Sequence, residues 1–226
     1  MSDTNGHIHS IVQQHYSEVA TNSASDTSKY YHSVASAFGY SEEEIEELRG
    51  ANLGLSCGNP IATSHLREGE TVVDLGSGAG MDVILAAHKV GPTGKAIGVE
   101  MTADMIKLAR ENATKRGLTN AEFIHSHIES LPLASSSVDC VISNCVLNLV
   151  PAESKLATLK EVYRVLKPGG RISISDIVAK QTLPESVAQD AAAYVGCVAG
   201  AIDTATYESY LRDAGFKGEI YSSSIL

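Results

Sequence analysis

Residues 72–80, Val-Val-Asp-Leu-Gly-Ser-Gly-Ala-Gly, constrain this chain more than any other stretch. A short apolar run ends in Asp74 and opens into glycines at 76, 78 and 80, and a helical pattern begins at Met81. Glycines at a strand-to-helix turn let the backbone bend tightly and approach a bound group closely. The dinucleotide pattern Gly-x-Gly-x-x-Gly/Ala wants a third small residue where this chain has Met81. The turn therefore predicts an open α/β sheet with a ligand beyond its strand ends, and it departs from the dinucleotide pattern.

From this turn onward strands and helices alternate. Strands are expected at 71–75, 95–99, 121–125, 138–143 and 171–176, with helices near 80–90, 102–116 and 152–166. The last helix places Leu156, Leu159, Tyr163 and Leu166 on one face, and Lys167-Pro-Gly-Gly ends it. Such alternation means right-handed βαβ units and a parallel sheet covered on both faces. Further helices are expected near 184–200 and 204–214, and a sixth strand near 218–223. Before the core, residues 1–8 read as disordered, 8–20 as a weak helix and 21–28 as a flexible loop. Ser41 with Glu44 forms a capping-box pattern for a helix over 42–48, and residues 51–60 read as a loop.

With 226 residues, 43% of them hydrophobic, the chain can bury one α/β domain and some additional segments. A formal charge of −10 without a basic run argues against nucleic-acid and membrane-surface partners. The chain has no apolar stretch of membrane-spanning length and no signal-peptide pattern at its start. Its four cysteines, at 57, 140, 145 and 197, make no Cys-x-x-Cys pair, and reduced thiols in the cytoplasm are expected.

An acid before the first glycine followed by Gly-x-Gly-x-Gly resembles the class I S-adenosylmethionine (SAM) methyltransferases. The resemblance implies a Rossmann-like, doubly wound, mostly parallel sheet with helices on both faces. Seven strands are usual there and six are countable here, so the last strand is expected to be missing or supplied from elsewhere. Residues 1–50 would form an N-terminal helical or flexible segment covering the cofactor, and 51–226 the methyltransferase domain, with substrate-binding C-terminal helices. In open α/β sheets, ligands bind beyond the C-terminal strand ends. That rule selects Asp74, Gly76, Ser77 and Gly78; Glu100 and Met101; Ile128 and Glu129; and Asn144. Asp74 suits a cationic ligand, Glu100 can accept both ribose hydroxyls, and an apolar residue beside an acid suits an adenine ring.

Among the cysteines, alternation puts Cys140 with Val138 and Ile142 on one strand face, as a buried core thiol. Cys57, Cys145 and Cys197 lie in or near loops that could converge on one crevice. Taken singly, each still fits a small buried residue. Residues 52–60 (Asn-Leu-Gly-Leu-Ser-Cys-Gly-Asn-Pro), 143–149 (Ser-Asn-Cys-Val-Leu-Asn-Leu) and 196–201 (Gly-Cys-Val-Ala-Gly-Ala) resemble segments of arsenite SAM methyltransferases. The resemblance spans about residues 9–216. It implies that Cys145 and Cys197 bind arsenite or methylarsenite, and that Cys57 joins in binding or in a redox relay. Trivalent arsenic is thiophilic, and thiolate ligation leaves its lone pair free to attack a sulfonium methyl, so the enzyme mainly places two reactants. The nearby sulfonium would also favour deprotonated cysteines.

The family often carries a further cysteine N-terminal to the one matching Cys57, and residues 21–40 contain none. A disulfide relay to such a residue is impossible within this chain, so turnover is expected to need an external thiol of glutathione or thioredoxin type. The resemblance also leads one to expect a longer C-terminal region than residues 1–226 contain. His125 and His127 form a His-x-His pair on one strand face without a third metal ligand at sensible spacing. Tyr16 and the Tyr30–Tyr31 pair are candidates to close over the cofactor. A monomer is expected. The rival readings are a methyltransferase of a small organic acceptor, for which Asp176 is the sole candidate base, and a non-catalytic SAM- or arsenic-binding protein.

Overall fold

The structure, a computed structural model, describes residues 2–22, 28–181, 183–188 and 190–217. Three helices precede the core: α1 (Ser2–Asn22), α2 (Ser28–Ala37) and α3 (Glu42–Glu47). After the short α4 (Pro60–Thr63) come β1 (Thr71–Leu75), α5 (Met81–Val90), β2 (Lys95–Glu100), α6 (Ala103–Lys115) and β3 (Ala121–His125). Then follow β4 (Val138–Asn144), α7 (Lys155–Val165), β5 (Leu166–Ser175), α8 (Glu185–Ala188), α9 (Ala191–Val195) and α10 (Thr204–Ala214).

The five described strands pair in the order β3-β2-β1-β4-β5, and every pairing is parallel. The order reverses beside β1, so the crevice opens above its C-terminal end, where the glycine turn leaves the strand. Strands covered on both faces carry near-continuous apolar runs. In β1, Val72 packs into one core with Ile84, Ala109 and Phe123, while Val73 and Leu75 pack into the other with Leu159, Val162 and Leu211. Asp74 interrupts this run at the strand's buried end.

Ser41 caps α3 with both arms of the capping box in place, as the sequence predicts. Other expectations need correction. Helix α1 begins at Ser2, so residues 2–8 are helical; its anchored turns around buried Val12 let helix propagate into the preceding polar turns. The span 184–200 is divided into α8 and α9, because the Asp190 side chain accepts from Ala193 N (2.7 Å) and starts a new helix there. Strand β5 begins at Leu166, taking the Lys-Pro-Gly-Gly segment into the sheet. Cys140 and Ile142 share one core as expected, but Val138 packs into the opposite one, across a register shift between Val138 and Cys140. The strand expected over 218–223 lies outside the described residues.

Candidate functional site

The crevice above β1, β2 and β4 has two sides. On the first, the glycine turn hydrogen-bonds back to β2: Gly76 N and Ser77 N both donate to Val99 O, at 2.7 and 3.1 Å. Gly76 has φ +62°, and a Cβ there would meet Val146 Cγ2 at 2.5 Å, so only glycine suits the turn. Glu100 accepts from Gly78 N (3.1 Å) and Thr102 N (2.8 Å), which fixes its carboxylate at the crevice wall. Asp74, Gly76, Ser77, Gly78, Glu100, Met101, Ile128, Glu129 and Asn144 all line this one cavity, as the strand-end rule requires.

The residues fit a cationic ligand. Burial pushes the Asp74 carboxyl well up, and the negative charges of Asp82 and Glu100 raise it further. Among the described residues, no Lys or Arg forms an ion pair with any of these three acids. The buried Ser77 hydroxyl also has no protein partner. A positively charged ligand with polar groups would relieve both conditions.

The second side is built from sulfur. The Sγ atoms of Cys57, Cys145 and Cys197 lie within 4.8 Å of one another. Cys57 and Cys145 are joined as a disulfide with Cα atoms 5.8 Å apart, while Cys197 is a free, buried thiol that donates to Cys145 O at 2.9 Å. Burial pushes the Cys197 thiol up to about 12, and the carboxylate of Asp176 adds to this. The expectation of reduced thiols is therefore corrected at Cys57 and Cys145, while Cys197, without a cation or a thiophilic atom beside it, holds its proton. Cys145 and Cys197 both adopt left-handed backbone, φ +61° and φ +62°. Strain of this kind in non-glycine residues gathers at functional sites, where the surroundings impose it. Here Asn148 Nδ2 donates to Cys197 O (3.1 Å) and Ile177 O (2.7 Å), and Gly200 lies so close to Asn148 O that no Cβ fits. Cys140 is fully buried away from this group, its thiol also raised to about 12 by burial.

Asn144 joins the two sides. Its Oδ1 accepts from Cys57 N (3.0 Å), and its Nδ2 lies within donating distance of Gly58 O, Asp82 Oδ2 and Tyr40 Oη. Tyr40 in turn donates to Asp82 at 2.7 Å. The sequence reading missed Tyr40 and Asp82; the one available signal for Asp82 was its place in the first turn after the glycines. Tyr16 lines the cavity and is influenced by both Cys197 and Glu100, so it spans the two sides. Tyr30 is largely exposed, and the Tyr31 carbonyl accepts from Asn52, so that pair packs beside residues 52–54 and does not line the cavity. The His-x-His reading also changes. His125 Nε2 contacts Met101 O at 2.8 Å, whereas His127 lies beside His9 of α1. Asp176 accepts from Tyr207 (3.0 Å) and is raised to about 7 by burial.

A parallel sheet of this order, with an acid-lined glycine turn at its switch point, defines the Rossmann-like class I methyltransferase fold. The Methyltransferase domain family matches residues 66–215, and the chain belongs to it. The chain is similar to an arsenite methyltransferase from Halobacterium salinarum, 48% identical over 79% of this chain and 46% of that protein. An arsenite methyltransferase from Aquipseudomonas alcaligenes is 34% identical over 92% of this chain and 62% of that protein. Among solved structures, an arsenic (III) S-adenosylmethionine methyltransferase from Chlamydomonas reinhardtii superposes with TM-score 0.64 at 36% identity, covering 80% of this chain and 61% of that one. The chain thus spans about half the length of the curated relatives it matches.

Proposed function

We propose that this chain transfers the methyl group of SAM to trivalent arsenic held by Cys57, Cys145 and Cys197. The observation that carries the reading is the convergence of three sulfur atoms, from three separate chain segments, beside an acid-lined crevice. The names and identities of the relatives support the same substrate class. A small organic acceptor would need a base at the methyl, and Asp176 does not line the crevice, its carboxylate accepting instead from Tyr207.

Two equivalents of external thiol of glutathione or thioredoxin type reduce the Cys57–Cys145 disulfide to two thiols and become one external disulfide. Each protein thiol then displaces a hydroxyl from arsenous acid, its proton leaving with that hydroxyl as water. The arsenic keeps its lone pair. SAM supplies an electrophilic methyl on a sulfonium. Asp74 and Glu100 would hold the cofactor's cationic and ribose ends, and Ile128 with Glu129 would take the adenine. Ser77, Gly78 and Met101 would complete the walls, while Asn144 ties the Cys57 loop to the crevice. Catalysis is mainly placement of the two reactants in the crevice.

In this reading residues 1–50 cover the cofactor and 51–226 form the catalytic body, acting as a monomer in a reducing, cytoplasmic compartment. Among the described residues no helix is long and apolar enough to cross a membrane. The test is incubation of the purified chain with SAM, arsenite and glutathione. Methylated arsenic is the expected product. Normal SAM binding without methylated arsenic overturns the reading.

A further inference from the structure

Outside the thiol group, one other cluster of ligating side chains stands at the crevice rim. His9 of α1 places Nε2 2.9 Å from Glu129 Oε1, and the His9 and His127 rings are 5.0 Å apart between centroids. The donor atoms of His9, His127 and Glu129 all lie within 4.8 Å of one another. From this geometry we propose a second, transition-metal site, in which two imidazoles and one carboxylate bind a divalent ion such as zinc or cobalt and fasten α1 to the loop after β3.

The donor chemistry is specific. Two imidazoles with one carboxylate suit zinc, cobalt, nickel or copper, and not magnesium or calcium, which take all-oxygen shells. A tetrahedral ion with bonds near 2.1 Å needs donors about 3.4 Å apart. His9 and Glu129 already stand within that separation, and exposed His127 can close the remaining distance by a side-chain rotation. The backbones that carry the three donors are independently fixed. Gln13 Nε2 donates to Met101 O at 3.0 Å, Ser17 hydrogen-bonds Asp104, and Val12 is buried, which holds α1 in place. Ser126 N donates to Glu100 O at 3.0 Å and Ser126 Oγ to His127 O at 3.2 Å, which holds the loop. The ion would meet a negative surrounding, with Glu100 lining the same crevice in a chain of net charge −10. A fourth ligand would be water, for which exposed His127 leaves room.

This site uses no cysteine, so it stands apart from the thiol side; it shares Glu129 with the proposed adenine wall, and the titration is therefore run without SAM. The test is a cobalt titration of the full chain with its Cys57–Cys145 disulfide intact, followed by visible absorption. One equivalent is expected to bind, with d–d bands and no thiolate-to-cobalt charge transfer. His9→Gln and His127→Gln are each expected to weaken binding about tenfold or more. Both variants are also checked for an unchanged melting temperature without metal, so that loss of binding cannot be loss of fold. Alkylating Cys197 is expected to leave the titration unchanged. A thiolate charge-transfer band, cobalt affinity equal in the parent and both variants, or no saturable binding overturns the proposal.

Discussion

On one side of the crevice, Asp74, Gly76 and Gly78 are neighbours in sequence before they are neighbours in space. On the other, Cys57 and Cys145 stand 88 residues apart, and Cys197 lies 52 beyond Cys145. The cofactor side is a local device. One strand end and one turn supply its centre, and hydrogen bonds from the turn's backbone N–H groups to Val99 O and the Glu100 carboxylate hold it. The thiol side is assembled only by folding, and it carries the strain of two left-handed cysteines. A local device tolerates change elsewhere in the chain, whereas an assembled one depends on every segment that delivers a ligand.

Replacing a ligand on the assembled side gives the largest expected effect. Cys197→Ser should weaken arsenite binding by about two orders of magnitude, roughly 2.7 kcal/mol, with SAM affinity within about twofold of the parent. Paired titrations of arsenite and SAM read both quantities. Loss of both affinities together would make Cys197 a structural thiol and dissolve the distinction between the two sides.

The complementary break is in the turn. Gly76→Val forces a β-branched residue into a left-handed conformation against Val146. It should cost about 2–3 kcal/mol of stability in chemical denaturation and reduce SAM binding. A variant as stable as the parent would show that the turn can relax, contrary to the close contact described here.

Asn144 tests whether the sides are separable at all. Asn144→Ala leaves Cys57 N and Asp82 without their amide partner, at a cost of about 1–3 kcal/mol. Both arsenite and SAM affinity should fall, unlike in the Cys197 variant. A fall in only one affinity would place Asn144 wholly on that side.

A further test is a pH dependence behind the thiols. Burial raises the Asp176 carboxyl from its ordinary value of 3.8 to about 7 in the folded chain. Between those values the folded state binds more protons than the unfolded one, so this group's contribution to stability falls as pH rises from about 4 to about 7 and levels off above. Denaturation midpoints across that range should lose this slope in Asp176→Asn. An unchanged slope would assign it to other groups.

Much of the cofactor side was legible in the chain because its signals are short-range. Strands 71–75 and 121–125 were read with the ends the structure gives them, and the glycine turn located the crevice. The capping box at Ser41 was equally readable, since both partners lie within one helical turn. The thiol side was legible only through resemblance, because no periodicity or spacing states that three loops meet. The His-x-His reading failed for the same reason. A strand pattern sees His125 and His127 as a pair, while the fold turns His125 to Met101 and brings His9 from α1 to His127. Val138 misled in its own way: a register shift invisible in sequence moved it to the other core.

By itself the sequence determined a parallel α/β sheet, the glycine turn at its switch point and the acid that begins that turn. Each follows from backbone preference or apolar periodicity within a few residues. Only the tertiary structure decided that Cys57 and Cys145 are bonded while Cys197 keeps its proton, that Asn144 ties the thiol loop to Asp82, and that α1 reaches Glu129. Those outcomes depend on burial and on contacts between distant segments, which exist only once the sheet has set its strand order.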